Sequence, residues 1–172
     1  MQSDHEDGRL GLARARVRKQ VLQLMEQGSQ AQAQSAQTHT VKNLTSAADA
    51  YAAALKLDPA YLPAQVALQQ VKVELTGLAF QDAMSSALRS LEDGRLRQAE
   101  DALKVAIQIY PDDPAVQDTQ RRLILAKRQA AMNSLRRQAA QHEKNENWLA
   151  AADSYRKALS IDSKAIYARS GL

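Results

Sequence analysis

One block of residues returns twice at a constant interval, and that interval decides what kind of fold the chain can adopt. Ala47-Ala48-Asp49-Ala50-Tyr51 through Leu55-Lys56-Leu57-Asp58-Pro59 recurs as Ala99-Glu100-Asp101-Ala102-Leu103 through Ile107-Gln108-Ile109-Tyr110-Pro111. A third version runs from Ala151-Ala152-Asp153-Ser154-Tyr155 through Leu159-Ser160-Ile161-Asp162-Ser163. Leu55, Ile107 and Leu159 stand 52 residues apart at each step. Self-similarity at a fixed period of this size is the mark of stacked units, each too small to bury its own apolar face. Function in such an array resides in the surfaces the units present.

Each copy predicts a short helix with one apolar face. Leu44, Ala47, Tyr51, Ala54 and Leu55 form that face in the first copy, and Leu96, Ala99, Leu103, Ala106 and Ile107 in the second. Trp148, Ala151, Tyr155, Ala158 and Leu159 form it in the third, which places Trp148 in the core. Small residues let a neighbouring helix approach, and Tyr51, Leu103 and Tyr155 fill what remains. Asn43, Asp93-Gly94 and Asn147 suit the starts, and Pro59, Pro111 and Ser163 mark the ends. Longer helical patterns cover 9–38, 61–92 and 113–145. The last reads as one helix of about 50 Å. Gly77 marks a place for a kink in the second, and Gly28-Ser29 with the Gln-rich stretch 30–37 blurs the end of the first.

The expected fold is all-α, with long and short helices alternating in tandem. The divisions are a polar lead-in at 1–8, units at 9–60, 61–112 and 113–164, and the opening of a further helix at 165–172. That opening reads as belonging to a longer protein. If each short helix returns over half of the long one, successive levels are three-helix bundles and the array climbs into a rod on the order of 100 Å.

The small-large pattern resembles the tetratricopeptide repeat. Its A-x3-[YFL]-x2-A-x4-P signature is matched by Ala47, Tyr51, Ala54 and Pro59 and by Ala99, Leu103, Ala106 and Pro111, and in part by Ala151, Tyr155 and Ala158. The family period is about 34 residues, so these units are longer, with the addition in the first helix. The resemblance implies a scaffold for peptide or protein partners, lined by the first helices. The basic carboxylate clamp of chaperone-binding members is not reproduced: its positions hold Gln32, Ala36, Met84 and Leu88, with Arg136 alone basic in the last copy. More loosely, the lengthened units resemble those of bacterial membrane-anchored repeat proteins.

Composition narrows the function classes. The chain has 172 residues, 45% hydrophobic and only 4% aromatic, with no Cys, so disulfides and thiolate chemistry are excluded. No apolar run approaches the roughly 20 residues of a membrane span. His5, His39 and His142 are scattered, with no second His at i+4, which predicts no metal site. No phosphate loop or nucleophile elbow is present, so neither cofactor nor catalytic residue is expected. Asp49, Asp101 and Asp153 read as favourable charges at helix starts, and Asp112-Asp113 as a turn leading into a helix.

Partner-binding candidates come from two places. Phe80, Met84, Leu88 and Leu91 make an apolar stripe on the second long helix, mostly core, with Met84 and Leu88 the candidates should one edge stay open. Arg122, Arg136 and Arg137 share a flank of the third long helix, and further bases sit at Arg9, Arg14, Arg16, Arg18 and Lys19. A net charge of +4 permits polyanion binding, but stacking aromatics are lacking, so nucleic acid is not the expected partner. The expectation is a non-catalytic interaction scaffold. A structural rod or spacer, within a larger and membrane-anchored bacterial protein, is the first alternative, and nucleic-acid binding through the arginine flank the second. Self-association is open.

Overall fold

The computed structural model describes the backbone of residues 3–38 and 41–172 and the side chains of residues 15–36 and 41–172. Its elements are all helices: α1 (Ser3–Thr38), α2 (Val41–Leu57), α3 (Leu62–Glu92), α4 (Leu96–Ile109), α5 (Pro114–Lys144), α6 (Trp148–Ile161) and α7 (Ile166–Ser170). No strand occurs among the described residues. Helix boundaries keep the interval of the sequence block. The short helices end at Leu57, Ile109 and Ile161, and the helices after them start at Leu62, Pro114 and Ile166.

Two differences from the sequence reading concern α1 and α2. Helix α1 starts at Ser3 and runs through the Gln-rich stretch, so neither the lead-in nor Gly28-Ser29 ends it. Helix α2 starts at Val41, two residues before Asn43. Helix α3 continues through Gly77.

The ends of the helices have local causes. Asp113 caps α5, its carboxylate accepting from the Ala115 N–H at 2.8 Å, with Pro114 in the first turn where its missing N–H costs nothing. Asn147 caps α6 through the Ala150 N–H at 3.3 Å. The turns before α4 and α6 share one left-handed residue, Gly94 at φ 71° and Glu146 at φ 56°. Only glycine takes that conformation freely. Glu146→Gly is therefore expected to raise stability by about 0.5–1 kcal/mol, read as a higher urea midpoint, whereas Gly94→Ala lowers it.

The chain divides into two compact units, Met1–Gln81 and Asp82–Leu172, with the boundary inside α3. Unit 1 is built from α1, α2 and the first part of α3. Leu44, Ala47 and Tyr51 of α2 are buried with Val71, while Leu68, Leu75 and Leu78 pack against them. A second cluster joins Val21, Ala54 and Ala64, covered by Leu24, Met25 and Tyr61. In unit 2 the core contains Met132 and Ala139 of α5, Ala151, Tyr155 and Ala158 of α6, and Ala165 and Ala168.

The small-large face is buried in all three short helices. Ala47, Ala54, Ala99, Ala106, Ala151 and Ala158 are at most 3% exposed, and Tyr51, Leu103 and Tyr155 at most 8%. Trp148 departs from expectation. It is 64% exposed, whereas Leu44 at the same position of the first copy is 3% exposed. Leu44 belongs to the cluster that holds Val71, with Leu75 and Leu78 packed against it.

Asp101 and Asp153 also act differently from the sequence reading. None of the short helices has an acid in its first turn. One turn further in, Asp101 pairs with Lys104 at 3.6 Å and Asp153 with Lys157 at 2.6 Å. Such exposed pairs contribute about 0.2–1 kcal/mol each.

A candidate docking groove on unit 2

An open groove of about 830 Å³ runs along α5 where the α6–α7 connection passes it. Leu125, Arg128, Met132 and Arg136, one helical turn apart, form its α5 wall, and Asp162, Ala165 and Tyr167 form the other. Its chemistry is mixed. Leu125 is 63% exposed and apolar. Arg128 reaches Asp162 at 3.8 Å, and the Arg136 guanidinium stands 5.6 Å from the centre of the Tyr167 ring. Such a cation over a ring contributes about 0.5–1 kcal/mol at an exposed site and holds the guanidinium in place.

The groove has a sequence cause in the register of the copies. Offset by two repeat intervals, Leu125, Arg128, Gln129 and Ala165 correspond to Val21, Leu24, Met25 and Tyr61 of unit 1. There, Tyr61 packs with Leu24 and Met25 over the cluster that buries Val21 to 2%. In unit 2 alanine replaces that tyrosine, and polar side chains replace the two apolar ones. The surface around Leu125 is left uncovered. No single-copy motif signals this; alignment of the copies does.

Behind the groove the aromatic residues are fixed. The Tyr167 hydroxyl donates to the Met132 carbonyl at 3.2 Å, and the Tyr155 and Tyr167 rings meet edge to face at 6.3 Å. The Tyr155 hydroxyl donates to the Glu143 carboxylate at 2.7 Å. That bond holds the Tyr155 phenol above its usual value of 10.0, and burial adds in the same direction.

The other residues proposed from sequence fall elsewhere. Met84 is 7% exposed and therefore a packing residue, with Leu88 half-buried beside it. Arg122 is exposed and held by Asp118 at 3.3 Å, with Arg121 3.7 Å from the same carboxylate. Arg137 is exposed on α5 and does not line the groove. Lys127 pairs with Glu100 at 2.6 Å, which holds the Glu100 carboxyl below its ordinary value. Of the flank named from sequence, Arg122 is set against an acid and Arg136 against the Tyr167 ring. Arg16, Arg18 and Lys19 are exposed, while the side chains of Arg9 and Arg14, and those of His5 and His39, lie outside the described residues.

Among the described residues no group of three or more His, Cys, Asp or Glu could hold a metal ion. No described helix is long and apolar enough to cross a membrane. Compared with known proteins, the chain matches no family model, no curated protein and no solved structure.

Proposed function

We propose that this chain is a non-catalytic interaction scaffold built from tetratricopeptide-like units, and that the α5 groove of unit 2 docks a protein or peptide partner. The observation that carries the reading is the uncovered Leu125 surface beside Arg128, Asp162 and Arg136, on a framework whose small-large face is buried alike in three helices. An apolar floor with a few placed charges suits a peptide that offers an apolar anchor and charged flanks. The acids set against Arg122, Arg128 and Lys127 favour a protein partner over a polyanion, because their carboxylates would face phosphates.

The test is nuclease-treated affinity capture from lysate of the source organism at low and moderate salt. The expected result is a specific protein retained at moderate salt by the parent chain and released by Leu125→Asp or Arg136→Glu. Leu125→Asp is an exposed substitution and should leave stability within about 0.5 kcal/mol of the parent, while Arg136→Glu gives up the contact with the Tyr167 ring and should cost about 0.5–1 kcal/mol. Capture of nothing, or only of salt-labile acidic material, would overturn the reading in favour of a spacer or a polyanion binder.

A further inference from the structure

Three residues that meet in unit 1 are polar there and apolar one repeat further on. Tyr51, Gln32 and Glu74 correspond, at the interval of 52, to Leu103, Met84 and Ala126. In unit 1 they form a chain of hydrogen bonds. The Tyr51 hydroxyl donates to Gln32 Oε1 at 3.2 Å, and Gln32 Nε2 donates to Glu74 Oε1 at 3.1 Å. In the second copy Leu103 and Met84, 2% and 7% exposed, pack as plain apolar residues. Polar groups inside a bundle carry a desolvation cost that leucine and methionine avoid. Closing the helices together does not require the polar chain.

That chain ends at an open pocket of about 350 Å³ between α1, α2 and α3. Gln32, Glu74 and Gly77 line it together with Leu44 and Leu78, and no lysine or arginine is among its lining residues. No ion pair between described residues involves Glu74. The pocket thus sets one carboxylate, unmatched by a described cation, beside an apolar wall. Gly77 keeps another wall low, because nothing lies within 4 Å of a Cβ added there. Its counterpart in the second copy is Gln129.

We propose that this pocket binds an alkylammonium group, the chemistry shared by a lysine side chain and a free aliphatic amine. The methylene stem lies along Leu44 and Leu78, and the nitrogen donates to the Glu74 carboxylate. Gln32, pinned from behind by Tyr51, holds that carboxylate in place. Glu74 repels an anion, and a purely apolar ligand would desolvate the carboxylate without giving it a partner. The site lies wholly within unit 1 and does not depend on the α5 groove of unit 2.

The probes are n-butylammonium and a blocked pentapeptide with one central lysine among alanines, titrated into the full isotopically labelled chain and followed by backbone amide shifts. The expected result is saturable shifts centred on Gly77 and Leu78, with a Kd on the order of 1–10 mM. Glu74→Gln should weaken binding about tenfold, because a neutral acceptor replaces a charged one. Gly77→Leu should abolish binding by filling the pocket while leaving or raising the thermal midpoint, since leucine is the better helix former. Equal binding of amine and peptide identifies a lysine-bearing chain as the source, and binding of the amine alone identifies a free amine; both meet the proposal. It is overturned if n-butanol binds as tightly as n-butylammonium, if Glu74→Gln or Gly77→Leu leaves the affinity unchanged, or if no localised shift develops up to about 100 mM. Each of those results leaves capture of a partner through the groove standing.

Discussion

Tyr51→Ala is expected to destabilise unit 1 by about 3–5 kcal/mol. Its ring is 3% exposed at the centre of the α1–α2–α3 packing, and its hydroxyl donates to Gln32 Oε1 at 3.2 Å. Removing it leaves a cavity walled on one side by Gly28 of α1, where an added Cβ would stand 2.4 Å from Tyr51 Cε1. The same contact makes Gly28→Ala unfavourable on its own, although alanine in a helix interior ordinarily gains about 1 kcal/mol over glycine. In the Tyr51→Ala background the obstruction is gone, so Gly28→Ala should change sign and stabilise. Gly77→Ala is the control, because nothing lies within 4 Å of its added Cβ, and a gain of about 1 kcal/mol is expected. Urea unfolding of the four chains of the cycle, read by far-ultraviolet circular dichroism, checks this. Additivity of the two substitutions would mean that Gly28 and Tyr51 do not share the space assigned to them.

The second large effect concerns the alanines that recur at one position of the short helices. Ala54, Ala106 and Ala158 are each 0% exposed. Replacing any of them with Leu inserts three carbons into a packed helix contact and is expected to cost about 1–3 kcal/mol. The informative outcome is the agreement among them. If the three copies are one structural unit, Ala54→Leu, Ala106→Leu and Ala158→Leu should all lower the urea midpoint. A copy that accepts leucine without loss would not belong to the repeat. Leucine at Val105, which is 46% exposed, should change little.

The helices were legible in the sequence because their faces and ends are local properties. The apolar spacing around Tyr51, Leu103 and Tyr155 defines which side is buried, and Asp113-Pro114 and Gly94 mark where helices start or turn. Periodicity identifies the apolar face but not the segment that covers it, which is why Trp148 was expected in the core and is exposed. Gly28 misled for the opposite reason: read as a weak point of α1, it is the concession that lets α1 approach the Tyr51 ring. Arg136, singled out for its charge, lines the candidate groove, whereas Leu125 and Ala165, which line it too, carry no such mark in a single copy. Their signal lies in a comparison between copies, through the loss of the tyrosine found at position 61.

That loss bears on how a duplicated array could change its partners. The alanines and aromatics buried in the short helices are common property of the units, and damage to them is felt as instability. Position 61 and its counterpart Ala165 lie in the connections, outside that shared set. A tyrosine there closes the flank of the long helix, as around Val21, and an alanine leaves it open, as around Leu125. On the scaffold reading proposed above, one unit could acquire or surrender a docking surface through a substitution at its boundary while its neighbours continue unaltered. An artificial array averaged over the copies would inherit the common framework and erase the difference.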